Sequence, residues 1–162
     1  LAYPAYTAPV IEAGILYIGT TAGPSGSANA FFALDAAGGE ELWRREGIFT
    51  YSAVLAGGRI IGVHGNGVWA LDAATGEVLW HTRGRGGHSE SNLDYLGGYV
   101  YWAHGSGLHT FDAATGELLY VMPPPDGSYF WQVTAGAGRV FVQSNRRLYA
   151  FAPWGHEGPL AE

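Results

Sequence analysis

Six histidines are the residues of this sequence most able to do chemistry, and their positions limit what that chemistry could be. They are His64, His81, His88, His104, His109 and His156. His64 and His104 each precede a short glycine-containing turn, so both are expected to end a strand on one face of the protein. With His88 they form a candidate metal site, because imidazole nitrogens are common ligands of transition metals. Equivalent residues of packed neighbouring sheets lie roughly 10 Å apart, too far for one ion, so we expect polar turn residues and no metal.

No nucleophilic or phosphate chemistry is predicted either. The sequence contains no cysteine, which excludes thiol catalysis, disulfides and zinc-thiolate sites. No serine lies in a G-x-S-x-G elbow, and Gly105-Ser106-Gly107 is typical of a hairpin turn. Gly84-Arg85-Gly86-Gly87 is not followed by the lysine of a phosphate loop. We therefore predict no catalytic residue, no metal and no cofactor.

One eleven-residue pattern occurs three times in the chain. It reads ALDAAGGEELW at Ala33–Trp43, ALDAATGEVLW at Ala70–Trp80 and TFDAATGELLY at Thr110–Tyr120. The shared aspartates are 37 and 40 residues apart, and a broken fourth copy begins at Tyr149 and has Ala152 at the aspartate position. A repeat of this period is typical of solenoids and propellers.

Each repeat contains four short apolar runs joined by tight turns. In the second repeat the runs are Ser52–Ala56, Arg59–His64, Gly67–Asp72 and Glu77–Thr82. The first turn is Gly57-Gly58, a hairpin signal, and no window keeps a helical period. A four-stranded antiparallel unit of about 40 residues is the size of one propeller blade. The sequence therefore predicts an all-β fold, a β-propeller of four-stranded antiparallel blades, with about four blades in this chain.

The predicted organisation is one propeller segment over residues 1–162. Blades are expected at about 8–46, 50–83, 90–122 and 130–162, with residues 1–7 as a candidate closing strand. Ala22–Asn29 is predicted to be a surface loop, and the last repeat is predicted to lack its outer strand. The chain begins at Leu1 without a signal peptide, so we expect a piece of a longer polypeptide. Two copies in one ring, or a closed four-bladed ring, are the alternatives.

The residues inside the repeated pattern have predicted structural roles. The Asp72 carboxylate precedes a turn and is expected to accept backbone N–H groups. Gly76 is expected to supply positive φ, and Trp80 needs a large apolar seat beside the small Ala70. The residues assigned to structural docking in this way are Ala33, Asp35, Gly39, Trp43, Ala70, Asp72, Gly76, Trp80, Asp112, Gly116 and Tyr120.

The pattern A-x-D-x-x-x-G-x-x-x-W resembles the tryptophan-docking motif of PQQ-like β-propellers, over about residues 8–152. That superfamily includes quinoprotein alcohol dehydrogenases, the lipoprotein scaffold of the bacterial outer-membrane barrel-assembly machine, and sensor domains fused to bacterial serine/threonine kinases. The resemblance implies that Trp43 and Trp80 dock on the neighbouring blade. Thr110 and Tyr120 depart from the motif, so Tyr120 is expected to dock less completely. Because the family usually has seven or eight blades, the four here are expected to be part of such a ring.

The same resemblance bears on function. Catalytic members typically place a disulfide of adjacent cysteines over the quinone, which this sequence cannot form. We also find no matched Glu, Asn and Asp set for the family's calcium site. The chain is therefore expected to be closest to the non-catalytic scaffold and sensor members, as an extracytoplasmic bacterial binding module with a protein partner. The alternative is a fragment of a PQQ-dependent dehydrogenase whose catalytic residues lie outside this segment.

The charge and the aromatic residues limit the kinds of partner that this chain is expected to bind. The net charge is −6 and the eight basic residues, all arginine, are scattered, which argues against nucleic acid. There is no apolar run long enough to span a membrane. Tyr129-Phe130-Trp131 is predicted to lie in a connection between blades, where it either lines a binding face or packs between blades. The candidate loop-face binding residues are Phe49, Tyr51, His64, His88, His104 and Trp131.

Overall fold

Four antiparallel β-sheets follow one another along the chain. The computed structural model describes residues 7–20, 29–48, 52–64, 67–83, 92–104 and 107–155. The first sheet contains β1 Val10–Glu12, β2 Ile15–Thr20, β3 Ala30–Asp35 and β4 Glu41–Glu46. The second contains β5 Ala53–Ala56, β6 Arg59–His64, β7 Gly67–Asp72 and β8 Val78–Arg83. The third contains β9 Leu93–Leu96, β10 Tyr99–His104, β11 Gly107–Asp112 and β12 Leu118–Met122. The fourth contains β13 Phe130–Gly136, β14 Arg139–Ser144 and β15 Leu148–Phe151. The predicted all-β propeller blades are confirmed, and we call these sheets the first to fourth blade.

Within each blade, strands adjacent in sequence pair with each other. In the fourth blade the described residues form three strands. The residues after 155, on which the prediction of a missing outer strand falls, lie outside the described residues. The part of the chain that the structure describes contains no helix long and apolar enough to cross a membrane.

The first hairpin of each blade turns on residues with positive φ. Gly57 and Gly58 have φ of 57° and 75°, the conformation that a two-residue turn between twisted strands favours. In the first and fourth blades the first of these positions is Ala13 or Ala137, at φ of 49° and 50°. These alanines keep the turn at some cost in backbone strain.

The hydrophobic core lies between the blades. Tyr17, Phe31 and Ala33 of the first blade cluster with Ile60 and Leu71 of the second. Equivalent clusters join the second blade to the third and the third to the fourth. The middle strands of the first three blades are buried along most of their length on both faces, whereas burial alternates along β14 of the fourth blade.

A β-bulge begins the outer strand of each of the first three blades. Ala33 pairs with Trp43, but the next residue, Leu34, pairs with Glu41, so Leu42 is an extra residue. The same shift occurs at the second and third repeats. Because residues paired across strands face the same side, Trp43 projects from the face of Ala33 while Leu42 is 51% exposed. The sequence analysis did not predict this bulge.

The prediction that Phe130 and Trp131 lie in a connection between blades is wrong. Strand β13 already begins at Phe130, which pairs with Ser144 and is buried in the core between the third and fourth blades. The register shifts between Phe130 and Gln132, which leaves Trp131 as an unpaired residue of the strand. Burial of Phe130 therefore extends the strand into what the sequence indicated as loop.

Candidate functional site

The aspartate of the repeated motif organises the turn that follows it. The backbone N–H groups of Ala74 and Thr75 both donate to Asp72 Oδ1 at 2.9 Å, and the Thr75 hydroxyl donates to it at 3.1 Å. Asp112 receives the same three bonds from its own turn. These carboxylates are therefore occupied in holding a turn.

Each motif tryptophan lies on the glycine of the next blade. A Cβ added to Gly76 would be 2.6 Å from Cε3 of Trp43, and one added to Gly116 would be 2.5 Å from the ring of Trp80. Gly76 also has φ of 72°. The sequence analysis assigned glycine here for its φ alone. The structure shows a second reason, because a Cβ on this residue would collide with the Trp43 ring.

Hydrogen bonds connect the same residues across the blade interface. Trp43 Nε1 donates to the carbonyl of Ala73 at 3.0 Å, and the Tyr17 hydroxyl donates to that carbonyl at 3.2 Å. Trp80 Nε1 donates to the carbonyl of Ala113 at 3.2 Å. Each indole therefore fills an apolar seat and satisfies its one polar atom in the neighbouring blade.

The third interface differs from the first two. Tyr120 pairs with Thr110 where the earlier repeats pair tryptophan with alanine. Its side chain is 47% exposed and stacks on Trp154, with ring centroids 5.4 Å apart. The Trp154 backbone N–H donates to the Tyr101 hydroxyl at 2.8 Å. Tyr120 thus contacts the fourth blade at the surface.

The four histidines that the structure describes do not form one site. His104 is buried beside Trp102 and His109, with ring centroids 4.7 Å and 5.8 Å from it, so its proposed place on an exposed loop face is wrong. His64 ends β6 and is half-buried. His109 is fully buried in β11. Aromatic packing within the third blade accounts for both buried rings.

His81 stacks on Trp69 at the surface of the second blade, with ring centroids 3.8 Å apart. Burial, followed by the charges of Arg83 and His64, lowers the pKa of His81. Within the described ranges no group of three histidine, aspartate or glutamate side chains is placed to hold a metal ion.

The remaining loop-face candidates fall into two groups. Phe49, Tyr51 and His88 lie outside the described residues. Trp131 is 56% exposed and its neighbour Tyr129 is 60% exposed. The structure therefore leaves two large aromatic side chains at the surface where the sequence analysis placed one candidate.

The turn aspartates predict an acid-dependent loss of stability. The backbone N–H of Thr75 and its equivalent, Thr115, are the main reason that the pKa of Asp72 and of Asp112 lies below the usual 3.8. A carboxyl with a lowered pKa in the folded state stabilises fully above its unfolded pKa, and this stabilisation is lost as pH falls through the folded value. In the double variant Asp72→Asn/Asp112→Asn, we expect Tm to fall less steeply than in the unmodified protein as pH drops below about 4.

Thermal melts between about pH 7 and about pH 2 measure this effect. Glu77→Gln/Glu117→Gln is the matched control, because both glutamates are exposed and directly follow the same turns. An unchanged acid limb in the aspartate variant would contradict the assignment.

Comparisons with known proteins agree with this geometry. The family model described as "Outer membrane protein assembly factor BamB" matches residues 4–156. BamB from Moraxella catarrhalis superposes with a TM-score of 0.73 at 20% identity, over 91% of this chain and 46% of that chain. The chain thus spans about half the length of that structure. None of the curated proteins matches the sequence.

Two further solved structures share the fold. The computationally designed Ika4 protein has a TM-score of 0.75 at 14% identity, over 94% of this chain and 92% of that chain. Quinohemoprotein alcohol dehydrogenase from Comamonas testosteroni has a TM-score of 0.68 at 18% identity, over 88% of this chain and 29% of that chain. The fold is therefore found both in an assembly factor and in an enzyme.

Proposed function

Because the chain belongs to the family of the outer membrane protein assembly factor BamB, whose model matches residues 4–156, we propose that it is a non-catalytic β-propeller module that binds protein. The observation that carries the proposal is the use of the motif's polar groups. The Asp72 and Asp112 carboxylates accept turn N–H groups, and the Trp43 and Trp80 indoles donate to neighbouring carbonyls. These groups are engaged in building blades.

The binding surface that we propose is the face carrying the exposed aromatics of the fourth blade. Trp131 and Tyr129 are largely exposed, and aromatic side chains of this kind are enriched at protein interfaces. Phe49, Tyr51, His64 and His88 remain proposed members of the surface. His104 is removed from it because the structure buries this side chain.

Further blades are proposed to continue the ring beside the first blade. Gly39 has φ of 76° and occupies the position of Gly76, but no described atom comes within 4 Å of a Cβ placed there. This is where the tryptophan of a preceding blade would lie. The proposal is that the segment, with blades at about 8–46, 50–83, 90–122 and 130–162, belongs to a ring of seven or eight blades. Those blades come from the same polypeptide or from a second copy.

The proposed location is extracytoplasmic and bacterial. Support comes from the family description, which names an outer membrane assembly factor.

A second candidate function is that of a segment of a quinone-dependent dehydrogenase. The likeness to quinohemoprotein alcohol dehydrogenase favours it, although the superposition covers 29% of that enzyme. The resemblance implies that catalytic members place a disulfide over the quinone, and the absence of cysteine means that this chain cannot form one. The assembly-factor family match therefore supports the binding module more strongly.

A cofactor-loading experiment separates the two candidates. After incubation with pyrroloquinoline quinone and Ca²⁺ followed by gel filtration, we expect the protein to carry no quinone absorbance. We also expect no alcohol-dependent reduction of an electron-accepting dye. A purified quinoprotein alcohol dehydrogenase, treated in parallel, is the positive control. Bound quinone with alcohol turnover would replace the binding-module proposal with the dehydrogenase.

A further inference from the structure

The third blade interface has a place equivalent to the tryptophan seats of the first two. In the first blade, Tyr17 pairs with Ala33, and Trp43 packs over Tyr17 with ring centroids 6.1 Å apart. In the third blade, Tyr101 pairs with Thr110 at the same register positions. The same surface of the blade is therefore available at both interfaces.

At the third interface this place is an open cleft of about 260 Å³. Its main walls are Tyr101, Leu108, Tyr120, Met122, Phe151 and Trp154. Drug-sized ligands occupy pockets of roughly 300–1,000 Å³, so the cleft suits a smaller group. Its aromatic rings and further apolar side chains make it suited to a flat aromatic group.

The chain's own aromatic does not fill the cleft. Tyr120 stands at the position of Trp43 but stacks on Trp154 near the surface, with planes 25° apart. Trp154 is itself 39% exposed, so the mouth of the cleft is accessible from solvent. The two rings therefore form one wall of the cleft and leave its interior open.

The repeat position whose carbonyl accepts an indole N–H at the first two interfaces is also present at the third. At the first interface the Trp43 indole N–H donates to the carbonyl of Ala73. The residue equivalent to Ala73 in the fourth repeat is Pro153, which also lines the cleft. An indole entering the cleft would thus meet the backbone position that accepts the indole N–H in the earlier repeats.

We propose that this cleft binds the tryptophan side chain of a partner polypeptide. The inference rests on the proposed function as a protein-binding module and names the chemistry that the module recognises. An indole suits the aromatic and apolar lining of the cleft, and its single donor matches the single acceptor used in the earlier repeats. Tryptophan is also among the residues that most often anchor protein interfaces in a buried pocket.

Ligand-observed fluorine NMR tests the proposal directly. The probe is a short Gly-Ser peptide with one central 5-fluorotryptophan, and the comparison peptide carries 4-fluorophenylalanine. We expect the tryptophan peptide to bind and the phenylalanine peptide to bind about tenfold more weakly, since loss of the indole donor and area lowers affinity. Circular dichroism confirms folding of each variant.

Two substitutions fill the cleft from inside. Tyr120→Trp restores the aromatic of the earlier repeats, and Leu108→Phe introduces the residue that the first blade has as Phe31. Each is expected to weaken binding of the tryptophan peptide by about tenfold or more. Ile11→Ser is the matched control on an exposed apolar side chain of the first blade outside the cleft, and it is expected to leave this affinity within about twofold. Trp131→Ser tests whether the exposed aromatic face binds the peptide instead.

Three outcomes would overturn the cleft assignment. They are no binding of the tryptophan peptide, equal binding of both peptides, and binding that persists in Tyr120→Trp and Leu108→Phe but is lost in Trp131→Ser. The last outcome would place recognition on the exposed aromatic face and leave the binding-module proposal standing. Quinone loading, by contrast, would overturn the proposed function without any change in these peptide affinities.

Discussion

Replacement of Trp80 by alanine is expected to lower the stability of the protein by about 3 kcal/mol, the lower end of the range for buried tryptophan. The indole lies against Gly116, donates to the carbonyl of Ala113 and packs on the core between the second and third blades. The substitution removes that apolar contact and leaves a cavity between blades. A loss of this size corresponds to a fall in Tm of about 6–12 °C for a protein of this length.

Tyr120→Ala is the matched comparison for Trp80→Ala. Tyr120 occupies the same position in the third repeat but is largely exposed, so we expect its loss to lower stability by about 1 kcal/mol. Thermal and urea unfolding of both variants measure the difference. Equal losses for the two positions would show that Trp80 does not stabilise the blade interface.

Gly76→Ala is expected to destabilise the protein by about 2–4 kcal/mol, because strain at positive φ and overpacking act together. The new Cβ would approach the Trp43 ring to 2.6 Å, so the indole must leave its seat or the turn must move. The Trp43 indole N–H would then lose its bond to Ala73.

Gly39→Ala separates the two causes. Gly39 has φ of 76°, close to the 72° of Gly76, but no described atom lies within 4 Å of the place that its new Cβ would occupy. Its substitution should therefore cost only the backbone strain, about 1 kcal/mol. In a double-mutant cycle, Gly76→Ala should destabilise the Trp43→Ala variant by the backbone strain alone, because the ring that the new Cβ would meet is gone. If Gly39→Ala and Gly76→Ala cost the same, close packing of Trp43 on Gly76 is not a determinant of stability.

Local features of this protein could be predicted from the sequence to a close approximation. The predicted runs Arg59–His64 and Gly67–Asp72 coincide with β6 and β7. The Asx-turn at Asp72 and the positive φ of Gly76 also follow from residue type at short separation. Turn hydrogen bonds and φ preferences depend on a few neighbouring residues, so the sequence carries them directly.

Features that depend on how side chains pack in the folded blade were missed or placed wrongly. The sequence analysis put Trp131 in a connection, whereas burial of the adjacent Phe130 extends β13 over it. It put His104 on an exposed face, whereas Trp102 and His109 enclose that ring. Polarity and position along the chain do not determine burial when strands from the same blade pack around a side chain.

The sequence by itself determined the all-β class, the blade repeat and the turns, because each rests on local hydrogen bonding and alternation. Only the tertiary structure decided which glycine lies under which tryptophan, and that the third interface is an open cleft. Trp43 reaches a carbonyl 30 residues away, and Tyr101 is joined to Trp154 across 53 residues. Such contacts form only when whole blades pack face to face. The cleft that accompanies Tyr120 in place of a tryptophan is therefore visible only in the folded structure.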